Sequence, residues 1–558
     1  SSFLSGNSDG DSAGFPTFGE HQLVYDKKLN QGYELEFRKD LTMDQSEVGF
    51  AISSPVLRMQ EGTRIIYLTL DITHPAGITF DGKQFDFSIT VEDEWYPIAI
   101  AANTVTIESN KLVFELTILN TDPAIVNYNF EQHSGAYSTI NPILRVLLNN
   151  DDPAYAYKSW KDIQIKNVRL SVDVSGVRSL IVQNELSTLD ASKPFRPFGP
   201  MPSVGSHFYI GHSDIFKNVL RKATVNIKWK DIVHERFADH YADYQEPIDN
   251  ESFKVKTALL ENKVWKNESV TNLFAPNAKN SQSIDFDFNG FFRKIDQTDI
   301  KQWEYKTLHG FVRMTLSEPG TPDFHAFGHS IYPKEVMRIN QLNVLASTNP
   351  KLSINQPYTP VIERLTFDYK TEEIVFDQNN ADQFYHVTPY GQKKLVLNNS
   401  LIENKLLPQF LFEGELFIGI SNLIVPQSVN LLFQLIEGTA DAAQSQIKSN
   451  IEWFYLVGNE WRVIDRLRIS KDTTRNLLNT GIIRFDLPQD MNSEHEVMPN
   501  GLFWIKACIP SKAMGIDRLQ NVHVQGVEVI ETNPDMYDQV IEPNSITKFV
   551  NGGRGIAE

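Results

Sequence analysis

The chain has 558 residues, with 52 Lys and Arg against 70 Asp and Glu for a formal net charge of -18. That length exceeds a single core and suggests about three or four domains. A composition of 41% hydrophobic and 11% aromatic residues excludes a disordered polymer, and the acidic balance would repel a nucleic-acid backbone unless a basic patch were segregated.

No such patch stands out: Arg221-Lys222 and Gln392-Lys393-Lys394 are short and read as solvated strand ends. Residues 1–44 read as a flexible connector, the first twenty being rich in Gly, Ser, Asn and Asp. The opening Ser1-Ser2-Phe3-Leu4 lacks an initiator Met and a signal peptide, so the chain is read as a segment of a longer polypeptide. Residues 45–160 carry short β-branched and aromatic runs at Ile65–Ile72, Phe85–Val91 and Leu112–Ile118, separated by turn signals such as Asp81-Gly82. That spacing predicts a β-sandwich, closing near Leu144–Leu148. Residues 161–335 form a second β-rich domain with strands at Val168–Val174 and Ser179–Val182. The prolines at 194, 197, 200 and 202 exclude a central strand, so this stretch is expected to be an ordered strap anchored by burial of Phe195 and Phe198. Helical patterns are few: about two turns over Ser213–Arg221, and another at Asp296–Lys306.

Residues 336–535 repeat the plan of 161–335, and 536–558 read as a connector to a missing C-terminal region. Leu416–Ile436 is uncharged and long enough to span a bilayer, but Pro426-Gln427 splits it into two strand lengths joined by a turn. The fold class is therefore mainly β, built from several sandwich-like modules with a tandem duplication. The duplication is read from ordered matches. Val168-Arg169-Leu170-Ser171-Val172-Asp173 is set against Glu363-Arg364-Leu365-Thr366-Phe367-Asp368, and Phe208-Tyr209-Ile210-Gly211 against Leu416-Phe417-Ile418-Gly419. Glu261-Asn262-Lys263-Val264-Trp265 is set against Gly458-Asn459-Glu460-Trp461, and Gly310-Phe311-Val312-Arg313-Met314 against Gly501-Leu502-Phe503-Trp504-Ile505. Kept order with drifting spacing is what a duplicated β module leaves when loops change and strands do not.

Chemistry-bearing motifs are weak. Asp285, Asp287 and Asn289 with Gly290 and Asp296 match positions 1, 3, 5, 6 and 12 of a calcium loop. The same residues alternate with Ile284, Phe286 and Phe288 as in a half-buried strand entering a hairpin, and the matching place in the second copy, Gly481–Asp486, lacks the ligand set. The strand is the reading adopted. His325 and His329 stand four apart, but Pro322, Gly328 and Pro333 are expected to prevent a regular helix there. His207, His212, His234 and His240 are scattered upstream. Cys508 is expected as a small buried strand residue, and Trp160, Trp229, Trp265, Trp303, Trp453, Trp461 and Trp504 as mostly core. No nucleophile elbow, phosphate loop or dinucleotide fingerprint occurs. No catalytic residue, cofactor or metal is expected.

As a set, Ser192–Gly199, Gly205–Gly211, Phe327–Pro333, Asn349–Pro360 and Trp453–Trp461 resemble the baseplate J-like wedge proteins of phage-tail-like extracellular contractile injection systems. The resemblance implies a structural, non-enzymatic subunit in a six-fold assembly. Its implied partners are a second wedge protein, the hub and spike, and the sheath or its adaptor, with no nucleic acid and no membrane span. It also implies assembly in the bacterial cytoplasm, in a particle released outside or anchored in the cell. A multi-domain surface adhesin or glycan-binding protein is the alternative that shares the strands and exposed aromatics. A sandwich-decorated hydrolase would need a catalytic domain absent from this segment.

Overall fold

The computed structural model describes residues 14–18, 47–74, 82–100, 104–108, 110–149, 157–213, 215–232, 236–275, 280–288, 301–317, 326–345, 351–376, 382–395, 404–440 and 451–527. The protein is mainly β, in several separate antiparallel sheets. Its contacts divide it into two units, the first centred on 45–409 and the second on 410–495 with 500–558 and the N-terminal residues 2–44.

In unit 1, one six-stranded sheet runs Gly391–Leu395, Gln383–Thr388, Gly49–Ser53, Ile143–Leu148, Phe85–Thr90, Trp95–Ile98. The strands that carry the rest of the unit are, in chain order, β1 (Thr63–Thr73), β2 (Gln164–Val177), β3 (Ile181–Asn184), β4 (His207–Gly211), β5 (Leu220–Trp229), β6 (Lys254–Glu261), β7 (Val264–Asn272), β8 (Ser281–Asp287), β9 (Phe311–Ser317) and β10 (Ile362–Thr371). One sheet has the order Thr188–Leu189, β3, β4, β9, β6, β7. A larger one runs β8, β5, β10, β2, β1, Lys111–Ile118, Val105–Glu108. Hydrogen-bonded neighbours thus come from distant parts of the chain: Phe50 faces His386, and Leu68 faces Leu170.

Period-two alternation explains the layering. In β1, Ile66, Leu68, Leu70 and Ile72 are buried while the residues between them are half-exposed. They join one continuous core in which Phe85 meets Trp160 edge-on at 4.4 Å, and burial of each such ring contributes roughly 1.5–3 kcal/mol. Arg64 is the polar exception on this face. Its guanidinium is fully buried and donates to the carbonyls of Leu119, Asp122 and Pro123 at 2.7, 3.0 and 2.7 Å, pinning that loop to β1.

The proline strap behaves as its composition predicts. Phe195 exchanges backbone hydrogen bonds with Ile362 at the start of β10, and Phe195 and Phe198 are both buried. The helices differ from expectation. Among the described residues of 213–221 there is a single 3-10 turn, Ile215–Lys217, because β5 begins at Leu220 and its ladder claims the next backbone groups. Residues 301–306 are non-helical, and the start of that predicted helix lies outside the described residues. The longest described helix, Tyr332–Leu345, was not expected; Pro333 had been weighed only against a helix at His325–His329, which this one does not include. Proline in the first turn loses no helical hydrogen bond and enters with its φ already set, so Pro333 starts this helix rather than preventing it.

Unit 2 contains β11 (Gly414–Ile420), β12 (Gln427–Ile436), β13 (Glu452–Val457), β14 (Glu460–Val463), β15 (Gly481–Leu487), β16 (Phe503–Ile509) and β17 (Arg518–Val524). Leu416–Ile436 is two strands joined at Pro426, and no helix among the described residues is long and apolar enough to cross a membrane. The sheets run β11, β16, β13, β14 and Ile469–Asp472, β15, β12, β17. The first has the order of β4, β9, β6, β7, and the second contains the order of β8, β5, β10.

The register agrees in detail. Gly211 faces Phe311 and Gly419 faces Trp504. Tyr209 faces Arg313 as Phe417 faces Lys506, and Leu260 faces Trp265 as Leu456 faces Trp461. Phe311 therefore corresponds to Trp504 and Arg313 to Lys506, a different alignment of that last piece from Gly310 against Gly501. Each glycine is a strand residue that leaves room for the ring opposite. A Cβ on Gly211 would lie 2.3 Å from the Phe311 ring, and one on Gly419 would lie 2.9 Å from the Trp504 ring. Gly211→Ala is expected to destabilise unit 1 by roughly 1–3 kcal/mol, as overpacking of a buried ring does. Gly419→Ala, at an exposed glycine, should cost clearly less. Denaturant unfolding of the two variants checks the order; equal losses would show that the Phe311 ring moves freely.

Candidate functional site

The shared register leads to one arrangement on the outer face of both β4–β9–β6–β7 and β11–β16–β13–β14. In unit 1 the Arg313 guanidinium lies 4.4 Å from the centre of the Trp265 ring. Trp265 packs against Tyr209, which stacks on Trp303 with ring centres 4.4 Å apart and planes 8° apart. Gln183 holds Trp303 in place: its Oε1 accepts from the Trp303 N–H at 3.1 Å, and its Nε2 donates to the Trp303 carbonyl at 3.3 Å. Glu268 on β7 stands 3.6 Å from Arg313 and 3.2 Å from Lys256. Burial lowers the affinity of Arg313 for its proton, while Tyr209 and Glu268 oppose that shift. His207 is held down chiefly by the same loss of solvent, and its Nδ1 meets Thr315 Oγ1 at 2.8 Å.

In unit 2 the corresponding cation is Lys506, only 8% exposed. Its Nζ donates to Glu415 at 2.6 Å and lies 4.9 Å from the Trp461 ring centre, 5.4 Å from Phe454, 5.6 Å from Phe417 and 5.8 Å from Phe412. Such contacts contribute about 0.5–2 kcal/mol each as desolvation increases. Both hairpins that present the tryptophans turn through positive φ, at Asn262 and Lys263 (50° and 69°) and at Gly458 (55°), the conformation that matches strand twist in tight hairpins. These are cation–aromatic faces carried on sheet strands. Neither holds an activated nucleophile: Cys508, beside Lys506 on the same face, is fully buried and its thiol is pushed up to about 12, chiefly by that burial.

Asp285 and Asp287 lie in strand β8, while Asn289 and Asp296 fall outside the described residues. Asp285 accepts from Thr224 at 2.6 Å and pairs with Lys222 at 3.0 Å. Burial pushes its carboxyl up, but these two partners outweigh it and hold it below its ordinary value. Among the described residues no three His, Cys, Asp or Glu side chains converge as metal ligands. The histidines serve separate packing roles: His240 meets the Gln356 carbonyl at 2.7 Å, His329 meets Thr359 Oγ1 at 2.9 Å, and His212 accepts from the Ile215 N–H at 3.2 Å. His234 and His325 lie outside the described residues. Trp160, Trp229, Trp453 and Trp504 are core residues, whereas Trp265, Trp303 and Trp461 are the half-exposed members of the two faces. Arg313 and Lys506 were not singled out from sequence. The signal available was Tyr209 against Phe417 and Trp265 against Trp461, each of which faces or flanks the cation.

Two expectations follow from this geometry. Lys506→Met leaves the largely enclosed Glu415, whose side chain is 18% exposed, without its cation and should cost about 2–4 kcal/mol, most of which the double change with Glu415→Leu should restore. Arg313→Met, whose partner Glu268 is half-exposed, should cost less; a double-mutant cycle by urea unfolding reads all of these. In native protein at pH 8, Cys508 should not react with a disulfide reagent until denaturant is added, because a thiol so raised carries almost no thiolate. Rapid native labelling would contradict the burial.

Comparison with known proteins gives one family match and no curated relative. A family model described as "Baseplate protein PVC11-like" spans residues 38–542, which include both units' sheets. No curated protein matches. The two faces and the sheets that carry them lie inside the matched span, and the chain belongs to the PVC11-like family of baseplate proteins, components of phage-tail-like contractile injection systems.

Proposed function

We propose that this chain is a non-enzymatic wedge subunit of the baseplate, present in several copies in six-fold order. It joins the hub and spike, the sheath or its adaptor, a second wedge protein and the periphery, and it rearranges when the sheath fires. Assembly takes place in the bacterial cytoplasm, in a particle released or held in the cell. The observation that carries this reading is the recurrence of one sheet plan with one cation-over-indole face. A chain that duplicates its scaffold, and whose repeated side chains are latched to each other, is suited to presenting stiff plates to neighbours. Ring assemblies ask for many modest interfaces on one long subunit.

Electron microscopy of particles from cells with the gene intact and deleted tests it. Deletion should abolish assembled sheathed particles while soluble tube and sheath proteins persist. Unchanged particles would remove the wedge reading and bring forward the surface-binding alternative.

A further inference from the structure

The two copies of the sheet plan differ at one edge. In unit 1, β10 is flanked by β2, through Phe367 facing Val177 and Lys370 facing Asp173. β4 is flanked by β3, through Ile210 facing Val182. Since β2 and β3 are consecutive strands, one stretch of chain closes the same edge of both sheets. In unit 2 the corresponding strands, β17 and β11, end their sheets among the described residues.

The consequence shows in the core. Val524 faces Leu431, which faces Ile483; Phe367 faces Val225, which faces Ile284. Val524 therefore stands where Phe367 stands, on the inward side of the sheet. Phe367 is 0% exposed and Val524 is 57% exposed. Ile418 and Val522 are likewise half-buried where Ile210 and Leu365 are buried. An inward-facing apolar row left open along a strand edge is a site for another strand.

The chain's own equivalent is already engaged. The segment that opens the second copy as β2 opens the first is β10, by the match of Glu363–Asp368 with Val168–Asp173. It is hydrogen-bonded between β5 and β2 in unit 1. A short strap does reach the open edge of unit 2: Phe15 exchanges two backbone bonds of 2.9 Å with Leu519, Thr17 Oγ1 donates to the Asp517 carbonyl at 2.5 Å, and Phe18 is buried against Gly414. Among the described residues it covers the Leu519 and Gly414 end and leaves the Val522 and Val524 end open.

We infer that this remaining edge of β17 and β11 accepts an extended strand from a neighbouring baseplate subunit, with apolar side chains at every second position as in β2. The incoming strand would cover Val524, Val522 and Ile418 as β2 and β3 cover their counterparts. The source assigned to it, another subunit, rests on the baseplate reading above.

The test uses intact particles carrying a photo-reactive amino acid at Val524, with Val463, exposed on the far edge strand β14, as the control position. Irradiation at 524 should link this chain to an extended segment of a different subunit that position 463 does not reach. Links confined to this chain, or no link above the control, would overturn the inference. Val524→Lys serves as a second arm. Because the side chain is already exposed, the isolated protein should melt within about 2 °C of the parent, while its incorporation into particles falls roughly tenfold or more. Unchanged incorporation would also overturn the inference. If gene deletion abolishes particles and yet position 524 links only within its own chain, the strand acceptor fails and the wedge reading survives.

Discussion

A sheet buries its backbone polar groups only where every strand has a neighbour, and a sandwich buries its inner face only where its edges are covered. That constraint organises this protein. In unit 1 the chain satisfies it by length: β2 has fourteen residues and lies against β1 on one side and β10 on the other. The result is a sheet that continues from β8 to Val105–Glu108 and a core of almost fully buried aliphatic and aromatic side chains. Among the described residues, the two sheets of unit 2 end at β17 and β11, and of the inward-facing side chains along those strands Val524 is exposed while Ile418 and Val522 are half-buried. The residues of β12 and β15 that face the core, such as Leu431, Phe433 and Phe485, are as buried as those of unit 1.

Much of this fold was legible because strand alternation is a local signal. The runs at Ile65, Phe85, Leu112, Val168 and Phe208 become strands, and the uncharged stretch from Leu416 becomes two, since Pro426 cannot be spanned by one. The proline strap was legible for the same kind of reason: its prolines deny it a ladder while Phe195 and Phe198 demand burial. Pairing was not legible, because register partners such as Phe50 and His386 are residues whose order in sequence carries no trace of the contact. The helix Tyr332–Leu345 was missed because Pro333 was weighed only against a helix at His325–His329 and not as the first turn of one that follows. The 3-10 turn at Ile215–Lys217 was over-read, because local helical spacing competes there with a strand that has two partners waiting.

The candidate faces were half legible. Aromatics at matching positions marked them, yet a lone Arg or Lys within a strand looks like an ordinary solvated residue until the register sets it beside an indole. Asp285 shows the reverse. Its spacing to Asp287 suggested ligands, but in a strand that spacing puts both side chains on the same outward face, where Lys222 and Thr224 take up the first carboxylate.

The two faces solve one problem with different cations, and the chemistry of each cation fits its degree of burial. Arginine presents a flat, weakly hydrated fork, so Arg313 can lie on Trp265 at a partly open surface with Glu268 only loosely engaged. Lysine is a compact and strongly hydrated charge, and enclosing it among Phe412, Phe417, Phe454 and Trp461 would be costly without a carboxylate at hydrogen-bonding distance. Glu415 supplies one. The pair adds less stability than its short distance suggests, since both ions are drawn from water. What it adds is register: only one alignment of β11 on β16 brings Glu415 to Lys506 while setting Phe417 beside it, and a slip by one residue would leave both charges buried and unpaired. A sheet whose register must hold gains more from that restriction than from further apolar area.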